Sequence, residues 1–161
     1  MSLSAALTDT AIGIPRYVFR AWLVAFGPSL ALFGLRVLAG GAVPGGGMPP
    51  GVAGFAAYSI LGAPLIETGL MLPVAALLRR LPWPRWWLPV VLLAALAAAA
   101  HGFAGTAWSG VAAFWPFVVY AAALFAWWRH SWATAFFVAA AVHALYNAAF
   151  FAVFVAGRLA A

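Results

Sequence analysis

The 161-residue sequence has no cysteine, no lysine and only two acidic residues, Asp9 and Glu67. The missing cysteine excludes a disulfide framework, a thiolate nucleophile and any cysteine metal site. Charged residues make up 6% and hydrophobic residues 68% of the chain, a balance that excludes a water-soluble domain of this size. Mean hydropathy is +1.08. A membrane-spanning helix needs about 20 apolar residues, so five or six spans use the whole chain and leave no room for a soluble domain. The net charge of +6 comes from eight arginines set against the two acids. They stand at the ends of apolar runs, where the positive-inside rule places them, and this argues against a nucleic-acid partner.

What is present predicts an all-α, polytopic transmembrane helical bundle. Apolar runs bounded by arginine, tryptophan, proline or glycine give five spanning helices, at roughly 17–39, 52–78, 86–105, 110–128 and 132–157. Residues 1–15 read as a short cytosolic N-terminal segment and 16–161 as one transmembrane domain. The segment MSLSAALTDTAIGIP has neither the basic region nor the continuous apolar core of a cleavable signal peptide, so the first span is expected to act as an uncleaved anchor. The stretch 40-GGAVPGGGMPPG-51 cannot continue a helix and carries no charge, which reads as an outside loop. By contrast, 79-RRLPWPRWW-87 holds three arginines and an interfacial tryptophan cluster, which reads as a cytoplasmic loop. An N-in, C-out orientation puts Arg16, Arg20, Arg79, Arg80, Arg85 and Arg129 on the cytoplasmic side, against Arg36 and Arg158 outside. Segment 105-GTAWSG-110 fits either a tight turn or a shallow re-entrant piece.

Within the apolar runs the strong polar side chains are Glu67, His101, His143 and Asn147, with Ser59, Thr68 and tyrosines 58, 120 and 146 as weaker groups. An ionisable residue at membrane depth costs several kcal/mol, so each is a functional candidate by default. At a rise of about 1.5 Å per residue from the nearest arginine, Glu67 lies roughly 18 Å deep, His143 about 20 Å and His101 about 24 Å. With Asn147 one turn beyond His143 on the same face, helices 52–78, 86–105 and 132–157 are expected to bring all four into one pocket. The competing reading is interhelical hydrogen-bond glue, worth about 1 kcal/mol per contact, which suits a lone His143 or Asn147 better than it suits Glu67. His130 reads as interfacial, Arg36 as snorkelling, and the tryptophans as an aromatic belt.

The ordered set 64-PLIE-67, the histidine of AAAAHGF and 143-HALYN-147 resembles the CPBP family of intramembrane proteases, the CAAX protease and bacteriocin-processing group. The likeness spans roughly residues 60–155. His143 and Asn147 match the family's His-x-x-x-Asn motif in full. Thr68 stands where that family has a second glutamate, Leu72 where it has an arginine, and Ala97 where its second motif has phenylalanine. Losing the carboxylate and the arginine together leaves no unpaired charge in the membrane, a coherent variation rather than random decay.

Peptide hydrolysis needs a base for water, donors for the oxyanion and a proton for the leaving amine. Glu67 is the candidate base, His101 holds water or shuttles its proton, and His143 with Asn147 donates to the oxyanion; the resemblance implies the same division of labour. No cofactor is favoured. A zinc site built from Glu67, His101 and His143 is the alternative, although it removes the base and lacks the H-E-x-x-H spacing. Expected partners are the lipid bilayer and a membrane-embedded or lipid-anchored peptide or protein substrate. Other readings are an inactive binding, chaperone-like or immunity factor, and a small proton- or metal-linked transport module. The alanine-rich, lysine-free composition suggests a high-GC bacterium and its plasma membrane.

Overall fold

The computed structural model describes residues 2–40 and 51–159, with side chains as far as Gly157. The predicted outside loop, but for its end residues, and the Arg158 side chain lie beyond the described residues. Those residues form helices and turns with no strand: α1 (Leu3–Thr8), α2 (Ile14–Leu38), α3 (Val52–Ala57), a π-helical turn (Tyr58–Gly62), α4 (Ala63–Leu78), α5 (Trp87–Ala104), α6 (Ala107–Trp127) and α7 (Trp132–Leu159). The segment from α3 to α4 runs as one helix, so among the described residues five helices are long and apolar enough to cross a membrane. The protein is a polytopic membrane bundle.

Helix α6 is the central post. Phe117 and every residue from Val119 to Leu124 are buried, while the outer helices turn large apolar side chains such as Leu70, Leu96 and Phe137 outward. In a bilayer that outward surface meets acyl chains, so its exposure carries no cost. Small residues zip α5 to α6: a Cβ built on Gly110 lies 2.8 Å from the Ala98 carbonyl oxygen and 3.3 Å from the Gly102 Cα. Only glycine permits that approach, the usual way for membrane helices to gain contact where lipid supplies no hydrophobic drive. Segment 105–110 resolves as a tight turn. The Thr106 hydroxyl accepts from the Ser109 amide at 3.2 Å, and the Ser109 hydroxyl accepts from the Thr106 amide at 3.2 Å, a capping box that starts α6.

Prolines inside spans leave carbonyls without their helical donor, and other helices answer two of them. Pro28 has no N–H for the Val24 carbonyl one turn earlier, and the Trp115 indole N–H of α6 donates to that oxygen at 2.8 Å. The second case lies beside the candidate site.

The arginine-rich end is tied together. Arg79 sits 5.0 Å over the Trp128 ring, and Arg129 donates to the Thr8 carbonyl at 3.4 Å. The N-terminal segment, expected as a cytosolic lead-in, folds back as α1: Ala6 and Leu7 are buried and the Tyr17 hydroxyl donates to the Leu7 carbonyl at 2.8 Å. Burying its apolar pair holds this short helix, which would not persist alone. Arg36, at the opposite end, stacks 4.6 Å over Trp108.

Candidate active site

Three of the four expected residues meet in one layer. The Nε2 atoms of His101 and His143 each lie 3.7 Å from the same Glu67 oxygen, Oε2. That is ion-pair range and longer than a hydrogen bond. Side-chain exposure is 38% for His101, 28% for Glu67 and 6% for His143, so the first two face an opening and the third backs them. His101 Nδ1 lies 3.0 Å from the Ala97 carbonyl, which can only accept, so this nitrogen carries the proton. In the neutral ring Nε2 is then an acceptor directed at Glu67.

A cavity of about 210 Å³ lies between α4 and α5 in front of Glu67 and His101, and the rest of its lining is apolar, including Met71, Leu93, Ala97 and Phe117. Leu70 and Leu96 also line it and are more than half exposed on the outer surface, so it opens sideways toward lipid. Ala97 contributes wall and hydrogen-bond acceptor at once, and a phenylalanine at this position would project into the space. Thr68 is buried and does not line the cavity, and the same holds for His143 and Tyr120 behind it. Leu72 packs against the core.

Aromatic rings fix the two imidazoles. Phe117 touches both, with centroids 5.0 Å from His101 and 5.8 Å from His143. Tyr120 stacks on His143 at 4.3 Å with 19° between the planes. Sequence reasoning ranked Tyr120 among the weaker polar groups and passed over Phe117. Their spacing of three places both on one face of α6, a signal that becomes legible once that face is known to point at α7.

Asn147 is the exception. The expectation gave it to the oxyanion, but its Nδ2 donates to the Ser59 carbonyl at 2.7 Å. The cause is Pro64. In the π-helical turn the Ala63 amide donates to Tyr58, five residues back. The same pattern would pair Ser59 with residue 64, and proline has no N–H. The Ser59 carbonyl is thus orphaned inside the membrane, and Asn147 supplies the missing donor. The signal in the sequence is a proline five residues after Ser59 together with a carboxamide on another span.

Four polar atoms around this layer are buried without a hydrogen-bond partner among the described residues: Glu67 Oε2, Thr68 Oγ1, Tyr120 Oη and His143 Nδ1. An unpaired buried polar group costs about 1–3 kcal/mol, so such a cluster marks a polar layer that packing alone does not explain. Among the described residues no group of three or more histidine or acidic side chains is arranged to hold a metal ion. Compared with family models, curated proteins and solved structures, the chain matches none.

Proposed function

We propose that the protein is an intramembrane endopeptidase in which Glu67 activates water, acting on a membrane-embedded or lipid-anchored peptide or protein. The observation that carries this reading is the convergence of two imidazole nitrogens on one carboxylate oxygen at 3.7 Å, beside an apolar cavity open to lipid. Interhelical glue would be satisfied by direct hydrogen bonds. Here the acceptor nitrogen of His101 and the acceptor oxygen of Glu67 face each other across a gap suited to a water that donates to both.

In the proposed reaction, substrate enters laterally between α4 and α5. The water oxygen attacks the scissile carbonyl carbon as Glu67 takes its proton, and the carbonyl π electrons move onto oxygen. His143, held by the Tyr120 stack, donates to that oxyanion. The intermediate then collapses, the C–N bond breaks, and the proton held by Glu67 passes to the departing amine. Peptide and water become acid and amine, with Glu67 restored. His101 positions the water, and Asn147 holds the helix that carries Glu67. The resemblance to CPBP proteases runs in the same direction, and the alanine-rich, lysine-free composition supports a bacterial plasma-membrane setting.

The test is comparative proteomics of the host membrane fraction with wild type, Glu67→Gln and His143→Ala at matched expression. The same uncleaved protein should accumulate with both variants, and Glu67→Gln should slow its processing by at least about 100-fold. Normal processing in Glu67→Gln, when deletion of the whole protein alters the membrane, would replace catalysis with a binding role for the pocket.

A further inference from the structure

The oxyanion of such a reaction gains from a second donor, and one of the two Asn147 N–H groups is committed to the Ser59 carbonyl at the π-helical turn. Tyr120 meets the requirements on independent grounds. It is 1% exposed, sits on the central helix, and its hydroxyl has no hydrogen-bond partner among the described residues. Its ring stacks on His143 at 4.3 Å, which puts the phenol beside the imidazole that faces Glu67.

Interior helix packing does not account for the hydroxyl. Phenylalanine would make the same stack and leave no orphaned polar atom, sparing the cost that an unpartnered hydroxyl imposes in the membrane. Phenylalanine is also abundant in this chain, with 13 against 4 tyrosines.

We propose that the Tyr120 hydroxyl is a donor to the oxyanion formed opposite Glu67, acting beside His143, while Asn147 serves as a positioning residue at the π-helical turn. This rests on the reading of Glu67 as the base. In chemical terms the Tyr120 O–H bond stays intact throughout. Its hydrogen is shared with the carbonyl oxygen while that oxygen bears negative charge, and the interaction weakens when the C=O bond re-forms on expulsion of the amine.

The experiment compares wild type, Tyr120→Phe, Tyr120→Leu and Glu67→Gln as full chains in the host membrane. Pulse labelling follows the protein that accumulates uncleaved when the whole protein is deleted, and thermal melting of each purified variant in detergent reports the fold. Tyr120→Phe should slow processing by about 100-fold, the usual scale for one oxyanion donor, with melting like that of wild type. Tyr120→Leu, which also loses the stack, should be slow and less stable. Wild-type processing in Tyr120→Phe with a block in Glu67→Gln overturns the role of Tyr120 and leaves Glu67 as the base. Slow processing accompanied by melting as low as that of Tyr120→Leu assigns Tyr120 to packing and overturns the donor role. Normal processing in Glu67→Gln overturns both readings.

Discussion

Two proline-interrupted spans solve one problem in two ways. In α2 the helix stays regular past Pro28, and the Val24 carbonyl left without its donor is answered by the Trp115 indole at 2.8 Å. Ahead of α4 the backbone widens into a π-helical turn, and the Ser59 carbonyl left by Pro64 is answered by Asn147 at 2.7 Å. The first repair is ordinary membrane glue between α2 and α6. The second uses a residue that motif reading assigns to chemistry, three positions after Pro64 comes Glu67, and the turn sets how that helix is presented. A polar side chain inside a membrane can therefore be required by a backbone vacancy as well as by a substrate, and the two are separated by asking which carbonyl lacks a donor.

The comparison can be broken most forcefully by removing both donors in turn. Asn147→Ala and Trp115→Phe should each lose about 1–2 kcal/mol of stability, read by thermal melting in detergent. Processing in membranes should fall at least about tenfold for Asn147→Ala alone, since small displacements of a reacting group cost that much or more. Equal activity in the two variants would detach the π-helical turn from the site.

A smaller effect sharpens the argument. Replacing Pro64 by alanine restores an N–H at the position the Ser59 carbonyl needs, so Asn147→Ala should be milder in a Pro64→Ala background. The expected coupling, from a double-mutant cycle of melting measurements, is about 1 kcal/mol. Additivity would show that Asn147 answers something other than the carbonyl freed by proline. The smallest effect serves as a reference far from both repairs: Thr106→Ala, which removes the cap of α6, should cost about 1 kcal/mol and leave processing unchanged.

Much of this architecture was legible before any coordinates. Spans ending at Arg16, Arg79, Trp87 and Arg129 could be bounded because a bilayer forces long apolar runs and sorts arginine and tryptophan to their ends. Counting residues from those ends placed Glu67, His101 and His143 at similar depth, and the structure brings both imidazoles to 3.7 Å from Glu67. Helix rotation was not legible. These spans are apolar on every side, so no hydrophobic stripe says which face of α6 meets α7, and Tyr120 could not be told from Tyr58, which is exposed. The π-helical turn was hidden for a related reason: it depends on one missing N–H and on a donor 88 residues further along the chain. The docking of α1 was hidden as well, since a six-residue helix gives no periodic signal and is stabilised by tertiary contact.

That docking bears on the order of assembly. Leu7 and Thr8 are held from Tyr17 and Arg129, and the Thr8 contact with Arg129 joins residues 121 positions apart. At a synthesis rate of about 5–20 residues per second, α1 waits on the order of ten seconds before its far partner exists. The corner that follows α6 is thus a clasp that shuts late.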